Sequence, residues 1–101
     1  MFIAMNRFTV VSGQEEVFEE IWRKRESYLN EVTGFVRFAL LRSEGSGEYI
    51  SHSTWESRTA FEAWTESPAF VAGHRQSSLS SVLVGPPQIS LYDAVMQQGR
   101  P

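Results

Sequence analysis

The sequence predicts an α+β fold of the ferredoxin-like β-α-β-β-α-β type: an antiparallel four-stranded sheet with two helices on one face. Three observations carry that prediction. Strand-like runs occur four times, at Phe2–Val11, Phe35–Arg42, Glu48–Trp55 and Gln88–Met96. Helical patterning fills two intervals, Gln14–Asn30 and the stretch that ends at Arg75. Turn signals separate them, at Ser12-Gly13, Gly34, Glu44-Gly45-Ser46-Gly47 and Pro86-Pro87.

In the first strand, one face carries Phe2, Ala4, Asn6, Phe8 and Val10, and the other Ile3, Met5, Arg7, Thr9 and Val11. Asn6 is the odd member of an apolar set. Its amide either satisfies a neighbouring loop or points a donor into a pocket. The first helix has acids early (Glu15, Glu16, Glu19, Glu20) and bases late (Arg23, Lys24, Arg25), as the helix dipole prefers. Its apolar stripe is Val17, Phe18, Ile21, Trp22, Tyr28 and Leu29. Arg25 falls on that stripe, where it can snorkel to the rim or meet an anionic ligand group.

Phe35–Arg42 and Glu48–Trp55 form the central hairpin around a glycine-rich loop. His52 lies in the second of these strands between two serines, as a structural or edge histidine. The second helix is interrupted at Ser67-Pro68. Proline lacks an N–H and disfavours helical geometry at the residue before it, so Ser67 becomes the N-cap of a new helix. Without that break, Trp64 and His74 would stand roughly 15 Å apart and about 80° out of phase. A kink can turn indole and imidazole toward one cavity. Gln76 to Pro87 is serine-rich with an apolar patch at Val82-Leu83-Val84, suited to a lid or to core packing. Gln97 to Pro101 reads as a polar, frayed tail.

One domain over residues 1–101 accommodates all of this. Net charge is −3 with Lys+Arg 9, which removes the electrostatic footprint of nucleic-acid binding. No apolar run approaches membrane-spanning length and no leader pattern opens the chain, so a cytoplasmic protein is expected. With Cys 0, disulfides, thiolate metal sites and cysteine nucleophiles are excluded together. A domain this small buries only about 60–70% of its unfolded surface. Ile3, Met5, Val11 and Leu41 alternate on the sheet's second face, so a homodimer packed sheet to sheet is expected. A single histidine in aromatic surroundings suits haem with one axial imidazole, although a lone helix histidine is more often structural.

The chain resembles the haem-degrading monooxygenases of the antibiotic-biosynthesis-monooxygenase superfamily. The resemblance is carried by the early MNRFTV strand, by Gly13, Glu15, Phe18, Glu19, Trp22 and Arg25 in the first helix, and by Gly34-Phe35. It continues through Trp55-Glu56-Ser57, Ala60-Phe61 and Ala63-Trp64 to His74. It implies a dimeric α+β barrel with one haem per subunit, haem being cofactor and substrate at once. His74 would be the proximal iron ligand. Trp64 would force the porphyrin out of plane, and Asn6 would hydrogen-bond on the distal side. Trp22 and Phe8 would line the slot, and Arg25 would contact a propionate. The implied reaction uses molecular oxygen and an external electron donor, opens the ring to a linear tetrapyrrole and frees iron. The alternatives are a cofactor-independent monooxygenase acting on a small aromatic or quinol, and a haem-binding or storage protein without turnover.

Overall fold

A computed structural model describes residues 1–25, 28–45, 47–75 and 79–100, with the side chains of Gly73, His74 and Arg75 outside that description. Strands β1 (Phe2–Thr9), β2 (Phe35–Arg42), β3 (Glu48–Trp55) and β4 (Gln88–Asp93) form one antiparallel sheet in the order β2-β3-β1-β4. Helices α1 (Glu15–Lys24), α2 (Arg58–Thr65) and α3 (Pro68–Arg75) complete the ferredoxin-like arrangement. The alternation in β1 decides which face is covered. Phe2, Ala4, Phe8 and Val10 are buried under the helices, while Arg7 and Thr9 are exposed on the other side.

Two corrections concern strand ends. β1 stops at Thr9 rather than Val11, because Val10 turns to pair with Gly47 and Leu83 instead of continuing the ladder. β4 stops at Asp93 rather than Met96. Its partner β1 runs out at the chain start, where Met1 takes the final bond from the Ala94 amide at 2.9 Å. Val95 and Met96 are exposed beyond it.

Helix α1 ends at Lys24, not Asn30. Arg25 is extended (φ −77°, ψ 130°), Tyr28 is left-handed (φ 58°), and a 3₁₀ turn follows at Leu29–Glu31. The bend carries Leu29 into the cluster around Phe2 and Trp55, and its burial there outweighs the helical pattern that would have kept it in line with Trp22. Tyr28 and Val17, both assigned to the apolar stripe from sequence, are exposed. Phe18, Ile21 and Trp22 supply the stripe that packs.

The break between α2 and α3 falls where proline chemistry predicts. The Ser67 hydroxyl accepts from the Phe70 amide at 3.3 Å and donates to the Trp64 carbonyl at 2.6 Å, so one side chain closes α2 and opens α3. Gly34 has φ +85°, and a Cβ there would lie 2.4 Å from Ala60 Cβ. The pairing of Gly34 with Ala60 lets β2 begin directly beneath α2. Leu79, Val82 and Leu83 pack on the core, while Val84 is exposed. Val82 is 4% exposed, and the Val11 and Val84 amides bond Val82 and Thr9 carbonyls at 2.8 Å each. Gln76, Ser77 and Ser78 lie outside the described residues. Among the described residues no helix is long and apolar enough to cross a membrane.

Candidate functional site

The covered face of the sheet is not one continuous core. Phe2, Ala4, Leu29, Trp55 and Phe61 form one buried cluster under α2, and Phe8, Val10, Phe18, Tyr49 and Val82 form another under α1. Asn6 lies between them on β1, directly opposite Ser51 of β3. Both are partly buried. Ser53, the next residue on that face, accepts from Trp55 Nε1 at 3.0 Å and donates to the Ala4 carbonyl at 3.4 Å. The middle of the sheet therefore presents small and polar side chains, with aromatic groups at both ends. Small polar groups leave room and hydrogen-bonding capacity where a third large apolar residue would have sealed the core.

On the α1 bank, Trp22 stacks on Phe38 of β2 (centroids 5.7 Å, 21° between planes), and the Arg25 guanidinium lies 4.7 Å from the Trp22 ring. Burial lowers Arg25 from its ordinary pKa, but a guanidinium stays cationic. Phe8 is 3% exposed, with its ring against Phe18 and Trp22 at 5.4 and 5.8 Å. It backs Trp22 from within the core rather than facing open space. On the α2 bank, Trp64 packs against Trp55 at 5.1 Å and Phe70 at 4.8 Å, the latter edge-on at 82°. The backbone of His74 is in α3. Its side chain falls outside the described residues, so the axial-ligand assignment stands on sequence.

The structure thus brings Phe8, Trp22 and Arg25 together on one bank, sets Trp64 on the other, and puts Asn6 on the strand between the two clusters. Ser51 and Phe38 were not singled out from sequence. The serines of YISHSTW alternate with Tyr49 and Trp55, but only strand register sets Ser51 beside Asn6.

A charged network also went unseen. The Glu19 carboxylate accepts from the Tyr49 hydroxyl at 2.5 Å, Arg42 Nη1 at 3.0 Å and Arg23 Nη2 at 2.9 Å. The Tyr49 hydrogen bond, helped by the two guanidiniums, holds Glu19 below the usual carboxylate range. Burial, reinforced by that carboxylate, pushes Tyr49 up to about 12.

The antibiotic biosynthesis monooxygenase family model matches residues 1–76. The chain belongs to that family. A heme oxygenase (mycobilin-producing) from Mycobacterium tuberculosis is 32% identical over 82 residues, covering 78% of each chain. The solved structure of the heme degrader MhuD from the same organism, with two hemes bound in its active site, superposes with a TM-score of 0.80. It is 27% identical and covers 98% of this chain and 100% of that one. SnoaB, a cofactor-independent oxygenase from Streptomyces nogalater, shares the fold at a TM-score of 0.74 and 24% identity, covering 98% and 97%. The same fold therefore occurs in a heme degrader and in a cofactor-independent oxygenase.

Proposed function

We infer that this antibiotic biosynthesis monooxygenase is an oxygen-dependent haem-degrading enzyme. It opens the porphyrin ring to a linear tetrapyrrole and releases iron, with electrons from an external donor. The observation that carries the reading is the divided core. A flat, largely apolar substrate with a polar centre suits the stretch of sheet that carries Asn6 and Ser51 between the two clusters, with Trp64 packed on one cluster and Trp22 on the other. The 32% identity to a heme oxygenase supports the substrate class.

Haem, when bound, supplies the iron and its redox chemistry. The chain's own residues do the rest. His74 would hold the haem iron through its imidazole. Trp64, braced by Trp55 and Phe70, would pack against the bound porphyrin and shape its seat. The Asn6 amide would offer a hydrogen bond to the bound group, and Trp22 would flank it on the α1 side. The Arg25 guanidinium, kept over Trp22, pairs with a propionate. A second copy covers the outer sheet face, where Ile3, Met5, Ile50 and His52 lie on neighbouring strands, giving a homodimer with its slots on the helix side.

Haemin titrated into the purified chain, followed by ascorbate in air with catalase present, tests this reading. A Soret band saturating at one haem per subunit and then decaying is expected. His74→Ala should weaken the band and stop the decay, while Trp64→Phe and Asn6→Ala should keep the band and slow its decay. A stable band in the parent chain would mark a haem carrier. No band would overturn the haem reading in favour of a cofactor-independent oxygenase acting on a small aromatic or quinol.

A further inference from the structure

Beside the slot, on the flank between α1 and the edge strand β2, lies an open cleft of about 590 Å³. That is within the range of small-molecule sites, about 300–1,000 Å³. Its apolar surface comes from Trp22, Phe38 and Leu40, and its polar surface from Arg23, Arg42 and the Glu19–Tyr49 pair. Asn6, Trp64 and Phe70 do not line it; only Trp22 is shared with the slot.

Three features make this cleft more than a surface groove. Trp22 and Phe38 are stacked nearly parallel, which fixes two aromatic rings across the α1–β2 joint. Glu19 holds both arginines, through Arg42 Nη1 at 3.0 Å and Arg23 Nη2 at 2.9 Å, so the guanidiniums are fixed before any ligand arrives. Glu19 itself is tied to the core by the buried Tyr49, and its side chain is only 16% exposed. Arg23 also meets Glu20 through Nη1 at 3.4 Å, so its guanidinium is shared between two carboxylates, while Arg42 pairs with Glu19. The arginine side chains remain 64% and 70% exposed, with further N–H donors turned to solvent.

We propose that this cleft is a second binding site, taking a small planar aromatic carboxylate. The ring lies against Trp22, Phe38 and Leu40, and the carboxylate pairs with Arg42 and Arg23. Guanidiniums recognise carboxylates through paired, charge-assisted hydrogen bonds, and aromatic walls favour flat rings over aliphatic acids of equal charge. The proposal does not depend on haem, since no residue assigned to the iron or its distal side lines the cleft.

The test is a titration of the 101-residue chain with 2-naphthoate, followed by NMR at the tryptophan indole and arginine side-chain N–H signals. Saturable shifts at Trp22, Arg23 and Arg42, with Trp64 unmoved, are expected. Neutral 2-naphthamide should bind about tenfold more weakly or worse, the loss of a charge-assisted hydrogen bond. Arg42→Gln should weaken naphthoate by a similar factor while leaving naphthamide unchanged. Haemin at saturation should alter naphthoate affinity less than twofold. Shifts centred on Trp64 and Asn6, displacement by haemin, equal binding of acid and amide, or no saturation would each overturn the proposal. The amide comparison is made in the unsubstituted chain, so it decides the matter even if Arg42→Gln fails to fold.

Discussion

The two aromatic clusters on the covered face are held together by different physics. The cluster of Phe2, Trp55 and Phe61 contains no charged group, and α2 is seated on it by close approach. Gly34 leaves no room for a side chain against Ala60, and its carbonyl accepts from the Glu56 amide at 2.8 Å. The cluster of Phe8, Phe18 and Tyr49 ends in a charged network that ties α1 to β2 and β3 through Glu19. One bank of the slot is therefore set by shape and the other by electrostatics. Solvent conditions should move the second and leave the first alone.

The largest effect should come from breaking the shape-determined bank. Gly34→Ala adds a Cβ that must displace Ala60, at a left-handed φ of +85°. We expect a loss of about 2–4 kcal/mol, from left-handed strain plus overpacking, measured by chemical denaturation. That loss should be the same at pH 4 and pH 7. An effect under about 0.5 kcal/mol, the scale of ordinary surface substitutions, would show that α2 is not seated by this contact.

Tyr49→Phe removes the hydroxyl from Glu19 and leaves the ring in place. A loss of about 1–2 kcal/mol at pH 7 is expected, for a hydrogen bond to a charged acceptor at a partly hydrated edge. The pH dependence sharpens the contrast. Glu19 has a lowered pKa in the folded state, so its contribution is complete above the ordinary value of 4.5 and is lost as pH falls through the lowered one. Tyr49 has a raised pKa, so the protonated phenol's contribution is complete below 10 and is lost as pH rises from 10 toward about 12. Denaturation curves of parent and Tyr49→Phe chains should converge at both extremes. Parallel curves across the whole range would mean that the network contributes nothing.

The smallest effect should come from the corner between Trp64 and His74. Ser67→Ala removes the cap of α3 but leaves Pro68 to hold the break. A loss of about 1 kcal/mol is expected. If Trp64 and His74 serve one site, haemin decay should slow more than stability falls. A change in stability alone would mean that the corner does not set the site's geometry.

The corner was legible from sequence because its causes are local. Proline's missing N–H and serine's short hydroxyl act over three residues, and α3 starts at Pro68 as they require. β2 and β3 were equally legible, with ends matching their pattern. The end of α1 was not. Leu29 satisfied the helical stripe and the distant Phe2 cluster alike, and only the packed core chose between them. The run Val82-Leu83-Val84 showed no period and left lid or core open. Its backbone bonds to Thr9 and Val11 connect residues more than seventy positions apart, which no local pattern records.

The same division holds for the site. Residue types and their local spacing determined the strand carrying Asn6, the helix carrying Trp64 and the break before His74. They also implied that two helices would cover one face of an antiparallel sheet. The tertiary structure decided that the core divides at Asn6, that Ser51 stands beside it, and that Glu19, Tyr49 and Arg42 meet from three separate elements. Helix and turn signals arise from interactions a few residues apart and are written in consecutive letters. Strand register and a three-element charge network arise from contacts between distant segments, and exist only once the sheet has paired.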